Sequence, residues 1–115
     1  MVVRTWREAP CTVVHVTGEL DVAGAPRLRA ELERTYAAGD PPHLVIDLTE
    51  VPFCDSVGLG VLVEALNRVR HAHGRMILVL SPGMITHLLV ITNLDRHFET
   101  SPSLAEATTS LGTAA

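Results

Sequence analysis

Apolar and polar positions along this chain fall into two rhythms: short apolar runs and helical stripes. Residues 11–17 (Cys-Thr-Val-Val-His-Val-Thr) are rich in β-branched side chains and predict a strand, which Gly18 ends. Residues 2–6 are expected to pair with it as an edge strand, with a turn near Ala9-Pro10. A helix starts at Ala25-Pro26, where proline suits the first turn. Leu28, Leu32 and Tyr36 share one face of it, while Arg27, Arg29, Glu31, Glu33 and Arg34 are polar, so the helix is amphipathic. Gly39 is expected to cap it and Asp40-Pro41-Pro42 to stop it.

Leu44-Val45-Ile46-Asp47-Leu48 is a continuous apolar run with one charge, the pattern of a central strand, and Met76-Ile77-Leu78-Val79-Leu80 is a second. A helical pattern from Val57 to His73, closed by Gly74, separates them. Strand, helix and strand in that order form a βαβ unit, so the two strands should be parallel. Ser81-Pro82 then predicts an N-cap followed by proline at the first helical position. Met84, Leu88 and Ile91 form an apolar stripe running to Asn93, a left-handed C-cap. His97-Phe98-Glu99 reads as a short last strand, and Ser101-Pro102-Ser103 opens a final helix from Leu104 to Leu111. Gly112 to Ala115 reads as a frayed tail. The expected fold is α/β: one domain over residues 1–115, with a mostly parallel central sheet of four to five strands and about four helices.

Composition narrows the function classes. A chain of 115 residues holds a single core, and 47% hydrophobic content argues for a folded domain. Val, Leu and Ala dominate, with only Trp6, Tyr36, Phe53 and Phe98 as aromatics, which suits buried parallel strands covered by helices. The net charge is −4, and no basic patch can neutralise a phosphate backbone, so direct nucleic-acid binding is not expected. No apolar run reaches the ~18 residues a membrane span requires. Arg4, Arg7 and Glu8 interrupt the N-terminus where a signal peptide would be apolar, so the cytoplasm is the expected location. Cys11 and Cys54 match no metal or redox spacing and read as two small buried hydrophobes rather than a disulfide or redox sensor. The histidines His15, His43, His71, His73, His87 and His97 are scattered, and neither a metal nor a cofactor is expected.

The chemistry concentrates at Asp55-Ser56. Ser56 is a good N-cap for the helix from Val57, and Asp55 favours its dipole. A capping role alone accounts for both. At ~100° per residue, Leu59, Leu62, Val63 and Leu66 cluster on the core face, and Val57, Val61, Glu64 and Arg68 lie opposite. Gly58 and Gly60 flank that opposite face and are expected to leave the backbone uncovered. Either the two valines form a docking surface beside the serine hydroxyl, or a second layer covers them. A phosphate on Ser56 would meet backbone N–H groups and the positive end of the helix dipole. It would add roughly −1.5 to −2 charges at neutral pH and leave a partner burying this region with an uncompensated charge. A rival from another class is a small serine hydrolase with a nucleophile elbow. Cys54 stands where the elbow needs glycine, and no glycine-rich oxyanion loop is present. Gly58-Leu59-Gly60 also lacks the third glycine and the acidic partner of a dinucleotide fingerprint.

Asp55-Ser56-Val57-Gly58-Leu59-Gly60, preceded by Val45-Ile46-Asp47-Leu48, Val51 and Phe53, resembles the phosphorylation-site segment of STAS-domain anti-sigma factor antagonists, a bacterial partner-switching family. Gly18-Glu19-Leu20-Asp21 is similar to that family's "GELD" turn. Ile91-Thr92-Asn93-Leu94-Asp95 with Phe98 resembles its later segment, and Glu106-Ala107 fits its closing helix. The resemblance covers residues 4–111. It implies a non-enzymatic regulator of sigma-factor-dependent transcription. When unphosphorylated, such a protein binds an anti-sigma factor that is itself a serine/threonine kinase. Phosphorylation releases that partner, and a serine phosphatase restores binding. By the resemblance Ser56 is the phosphoacceptor, and Asp21, Asp55, Val57, Gly58, Gly60, Val61 and Glu64 meet the partner. Asp21 is expected near Ser56. A non-switching scaffold subunit of a signalling assembly is the nearer alternative. Two positions depart from the pattern: Val57 stands where many relatives carry a second hydroxyl, and Asn93 stands where they usually carry glycine.

Overall fold

The branched aliphatic runs assemble into one five-stranded sheet. Its strands are β1 (Val2–Glu8), β2 (Cys11–Thr17), β3 (His43–Glu50), β4 (Arg75–Val79) and β5 (Glu99–Ser101). The structure is a computed structural model and describes residues 1–38 and 43–112. Spatial order follows chain order, β1-β2-β3-β4-β5. The β1–β2 hairpin is antiparallel, and every later pair is parallel. Between the parallel strands run α1 (Ala25–Ala37), α2 (Ser56–His71) and α3 (Met84–Ile91); α4 (Leu104–Gly112) follows β5.

Strands added in one direction by right-handed crossovers place their connecting helices on the same face of the sheet. The core divides accordingly. Val14, Val16, Leu44, Ile46, Leu48, Met76 and Leu78 pack under Leu28, Leu32, Leu62, Leu66, Ile85 and Leu89 of the three crossover helices. On the other face Cys11, Val13, Val45, Ile77 and Val79 pack under Ala107 and Leu111 of α4. Because β3 and β4 are covered on both sides, they read as unbroken apolar runs.

Several boundaries differ from the sequence expectation. The left-handed residue after α2 is His73 (φ 61°), and the Gly74 N–H reaches back to the Val69 carbonyl at 2.8 Å. Asn93 is left-handed as expected (φ 60°). Ser81 does not cap α3. Gly83 occupies that position, and the Ser81 carbonyl instead accepts from Thr86 Oγ1 at 3.2 Å. The last strand begins at Glu99, because a 3₁₀ turn at Leu94–Arg96 delays it and Phe98 enters the core first. Gly112 belongs to α4 rather than to a tail. Residues 113–115, and the expected stop at Gly39, Asp40, Pro41 and Pro42, lie outside the described residues.

Candidate functional site

The C-terminal ends of β2 and β3 lead into two loops that are stitched together. The Leu20 N–H donates to the Phe53 carbonyl at 2.9 Å, and the Asp55 N–H donates to the Leu20 carbonyl at 3.3 Å. These bonds form an isolated parallel bridge between Leu20 and Cys54. Buried Leu20, Val51 and Cys54 fix the loops from below.

On that base Asp55, in extended backbone conformation, caps α2. Its Oδ1 accepts from the N–H groups of Val57 and Gly58, both at 2.9 Å, and its Oδ2 accepts from the Val22 N–H at 3.1 Å. The expected cap, Ser56, is therefore displaced by one residue. A carboxylate has two oxygens, so Asp55 satisfies the helix end and the neighbouring loop together, which one hydroxyl cannot do. Ser56 becomes the first residue of α2. It is exposed, and its hydroxyl makes no hydrogen bond among the described residues.

Asp21 stands in the loop that Asp55 holds. Its Oδ1 accepts from the N–H groups of Ala23 (3.0 Å) and Gly24 (2.8 Å), and its carbonyl accepts from the Ala25 N–H where α1 begins. The Gly24 N–H foremost, with that of Ala23, holds the Asp21 carboxyl below the usual carboxylate range. Through the bonds of Leu20 and Val22 the Asp21 loop and the Ser56 loop form one rim.

The remaining sequence-predicted residues separate. Gly58 is buried against Leu20; a Cβ there would overlap the Leu20 carbonyl oxygen and lie 2.7 Å from its Cγ. It is a close-approach glycine, not the uncovered backbone that was expected. Gly60 is exposed, with nothing within 4 Å of where a Cβ would sit. Val57 is 41% exposed, but Val61 is only 1% exposed. The expectation of two exposed valines fails at Val61 because α2 has two apolar contacts, one with the sheet and one with α1. Val61, Leu32 and Tyr36 line a groove of about 510 Å³ between α1 and α2. Glu64 stands at this groove and pairs with Arg29 at 2.8 Å. Arg68 lies over the Tyr36 ring at 4.4 Å.

Sequence reasoning gave no site role to three neighbours of Ser56. Val22, Phe53 and Met84 are exposed. Val22 is bound to the Asp55 carboxylate, and the Met84 Sδ accepts from the Cys54 N–H at 3.4 Å. The available signal was large apolar residues in the loops at Val22 and Phe53, where polar ones are usual, and a helix at Met84 that is apolar on nearly every side.

Cys11 and Cys54 are free and buried, as expected of small core hydrophobes. Burial foremost, with the neighbouring Asp55 carboxylate, pushes the Cys54 thiol up to about 11, so it is inert near neutrality. A triad-type nucleophile needs an adjacent base. No imidazole hydrogen-bonds Ser56 among the described residues. Nor, among them, is any helix long and apolar enough to cross a membrane.

Comparison with known proteins gives a consistent picture. Residues 4–107 match the STAS domain. The chain is 37% identical over 81 residues to the anti-sigma-B factor antagonist of Listeria monocytogenes, covering 70% of each protein. It is similar to the crystal structure of an anti-sigma factor antagonist from Mycobacterium paratuberculosis, with a TM-score of 0.87 and 30% identity over 96% of this chain and 93% of that one. A protein from Thermotoga maritima described as a putative anti-sigma factor antagonist has the same fold, with a TM-score of 0.88 and 22% identity over 96% and 94% of the two chains.

Proposed function

The chain belongs to the STAS-domain family, and from that premise we propose that it is a cytoplasmic anti-sigma factor antagonist switched by phosphorylation of Ser56. Unphosphorylated, it binds an anti-sigma factor with serine/threonine kinase activity and so frees a sigma factor. The kinase then transfers a phosphoryl group from ATP. Ser56 Oγ attacks the γ-phosphorus, the bond to the β-phosphate oxygen breaks, ADP departs, and the hydroxyl proton passes to a base on the kinase. A serine phosphatase reverses the change by hydrolysis, releasing inorganic phosphate.

The observation that carries this reading is the setting of Ser56. Its hydroxyl is exposed and unengaged on a rim held rigid by Asp55 and Leu20. A phosphate there does not find a vacant cap, because the N–H groups of Val57 and Gly58 already serve Asp55. It adds roughly −1.5 to −2 charges directly beside a carboxylate. Leu59 and Leu62 keep α2 anchored in the core while its end changes charge. A partner that buried the neutral serine must then bury or avoid a dianion next to Asp55. Asp21, Asp55, Val57, Gly60 and Glu64 supply polar and apolar contacts around it. Val61 and Gly58, being buried, act by shaping this surface.

Intact-mass analysis after incubation with candidate kinases and ATP, followed by site mapping, tests the assignment. One added phosphate at Ser56 is expected. Ser56→Asp should abolish anti-sigma factor binding with a cooperative unfolding transition retained, and Ser56→Ala should bind constitutively. Asp21→Ala should slow phosphorylation more than it lowers stability. Unchanged binding by Ser56→Asp would sink the model.

A further inference from the structure

The exposed face of α3 is the least expected surface of the molecule. Six of its eight residues are apolar, Met84-Ile85-Thr86-His87-Leu88-Leu89-Val90-Ile91, yet only Ile85 and Leu89 are buried. Met84 is 40%, Val90 53% and Ile91 62% exposed. A helix that is apolar all round is normally enclosed. At ~100° per residue, Met84, His87 and Ile91 point away from the core, with Val90 and Leu88 to either side. This face carries no charged side chain. It is also not isolated. Met84 Sδ holds the Cys54 N–H, which places the start of α3 against exposed Phe53 and the loop before Ser56.

We infer that the outer face of α3 is the second half of the anti-sigma factor's footprint, reaching ~10 Å beyond Met84 along the helix. This rests on the function proposed above. The strip runs from Val22, Phe53 and Val57 through Met84 to Ile91. At the Ser56 end it meets the carboxylates of Asp21 and Asp55. The matching partner surface is an apolar strip with a cationic end. A second copy of this chain does not fit that description, because it carries the same anionic rim and a net charge of −4. The arrangement divides the work. Apolar contact along α3 supplies affinity, and charge at Ser56 controls it.

The probe is the anti-sigma factor that binds the unphosphorylated chain and is released by Ser56→Asp. Val90 and Ile91 are exposed, so the double variant V90E/I91E should keep the wild-type unfolding midpoint. It should bind the anti-sigma factor about tenfold more weakly or worse, because two charges are introduced into an apolar contact. Ala105→Glu on exposed α4, across the sheet, should keep wild-type affinity. Hydrogen exchange at residues 84–91 should slow in the complex. V90E/I91E binding within about twofold of wild type, with Ser56→Asp still abolishing binding, overturns the inference and leaves the parent reading intact. Sedimentation showing a wild-type dimer, a monomeric variant and unchanged anti-sigma factor affinity also overturns it, in favour of self-association. If no anti-sigma factor binds the unphosphorylated wild type, the parent reading fails and this inference falls with it.

Discussion

Asp55 and Ser56 are neighbours with opposite jobs. Asp55 accepts three backbone N–H groups, two in α2 and one from Val22. Ser56 accepts none among the described residues. Asp55→Ala is therefore expected to cost ~1–3 kcal/mol, the loss of a cap together with an orphaned loop donor. Ser56→Ala should stay within ~0.5 kcal/mol of wild type. Urea unfolding of the two variants at neutral pH checks both. A Ser56→Ala loss as large as that of Asp55→Ala would mean the serine is structural. The sequence placed the cap within one residue but gave it to the hydroxyl, because serine and aspartate are equally good caps in isolation. What decides between them is Val22, which arrives from 33 residues away and has no signature in the local sequence.

At the scale of the element, α2 explains which site residues were legible. Its sheet-facing stripe was visible as Leu59, Leu62 and Leu66, all buried. Its second contact was not, since a helical wheel shows which positions are apolar but not how many layers the fold supplies. That is why Val61 was expected at the surface and lies under α1. The same ambiguity misplaced the buried face of α3: a helix apolar on nearly every side contains two equally good stripes, and Ile85 with Leu89 won over Met84, Leu88 and Ile91. Substitution separates the faces of α2. Val57→Glu should fold normally and weaken partner binding, whereas Val61→Glu should lose cooperative unfolding, because it buries an unpaired charge. The two glycines divide likewise. Gly60→Ala has room and should stabilise α2 by ~0.5–1 kcal/mol, while Gly58→Ala must push Leu20 away and should lower the thermal midpoint. Thermal unfolding of the four variants is the measurement. Equal midpoints for the two glycine variants would remove the close approach at Leu20 from the account of the site.

For the whole molecule, the alternation of apolar runs and helical stripes carried the topology. The parallel β3–β4 pair, the β1–β2 hairpin and the helix order all follow from it. The partition into a face under three helices and a face under α4 alone was not visible, because it depends on crossover handedness summed over the chain. That partition buries titratable groups on both faces, and they set how the stability of the fold depends on pH. Burial pushes the Cys54 thiol from its ordinary 9.0 to about 11 and the Tyr36 hydroxyl from 10.0 to about 12, and it also raises the Cys11 thiol. Each group stays protonated in the folded chain over a range where the unfolded chain has already lost the proton. The unfolded state then binds fewer protons, so stability falls as pH rises through that range. Loss should begin near pH 9 with the cysteines and continue above pH 10 with Tyr36. Asp21 works in the opposite direction. Its folded value lies below 3.8, so its contribution is complete above the unfolded value and is lost as acid takes pH down through the folded one. Urea unfolding from acid to pH 11 should therefore give a plateau with two falling limbs. Cys54→Ala should flatten the alkaline limb, and Asp21→Asn the acid limb, each without touching the other. An alkaline limb unchanged in Cys54→Ala would show that the buried cysteine beside Asp55 does not set the upper bound, and would leave Tyr36 and Cys11 to account for it.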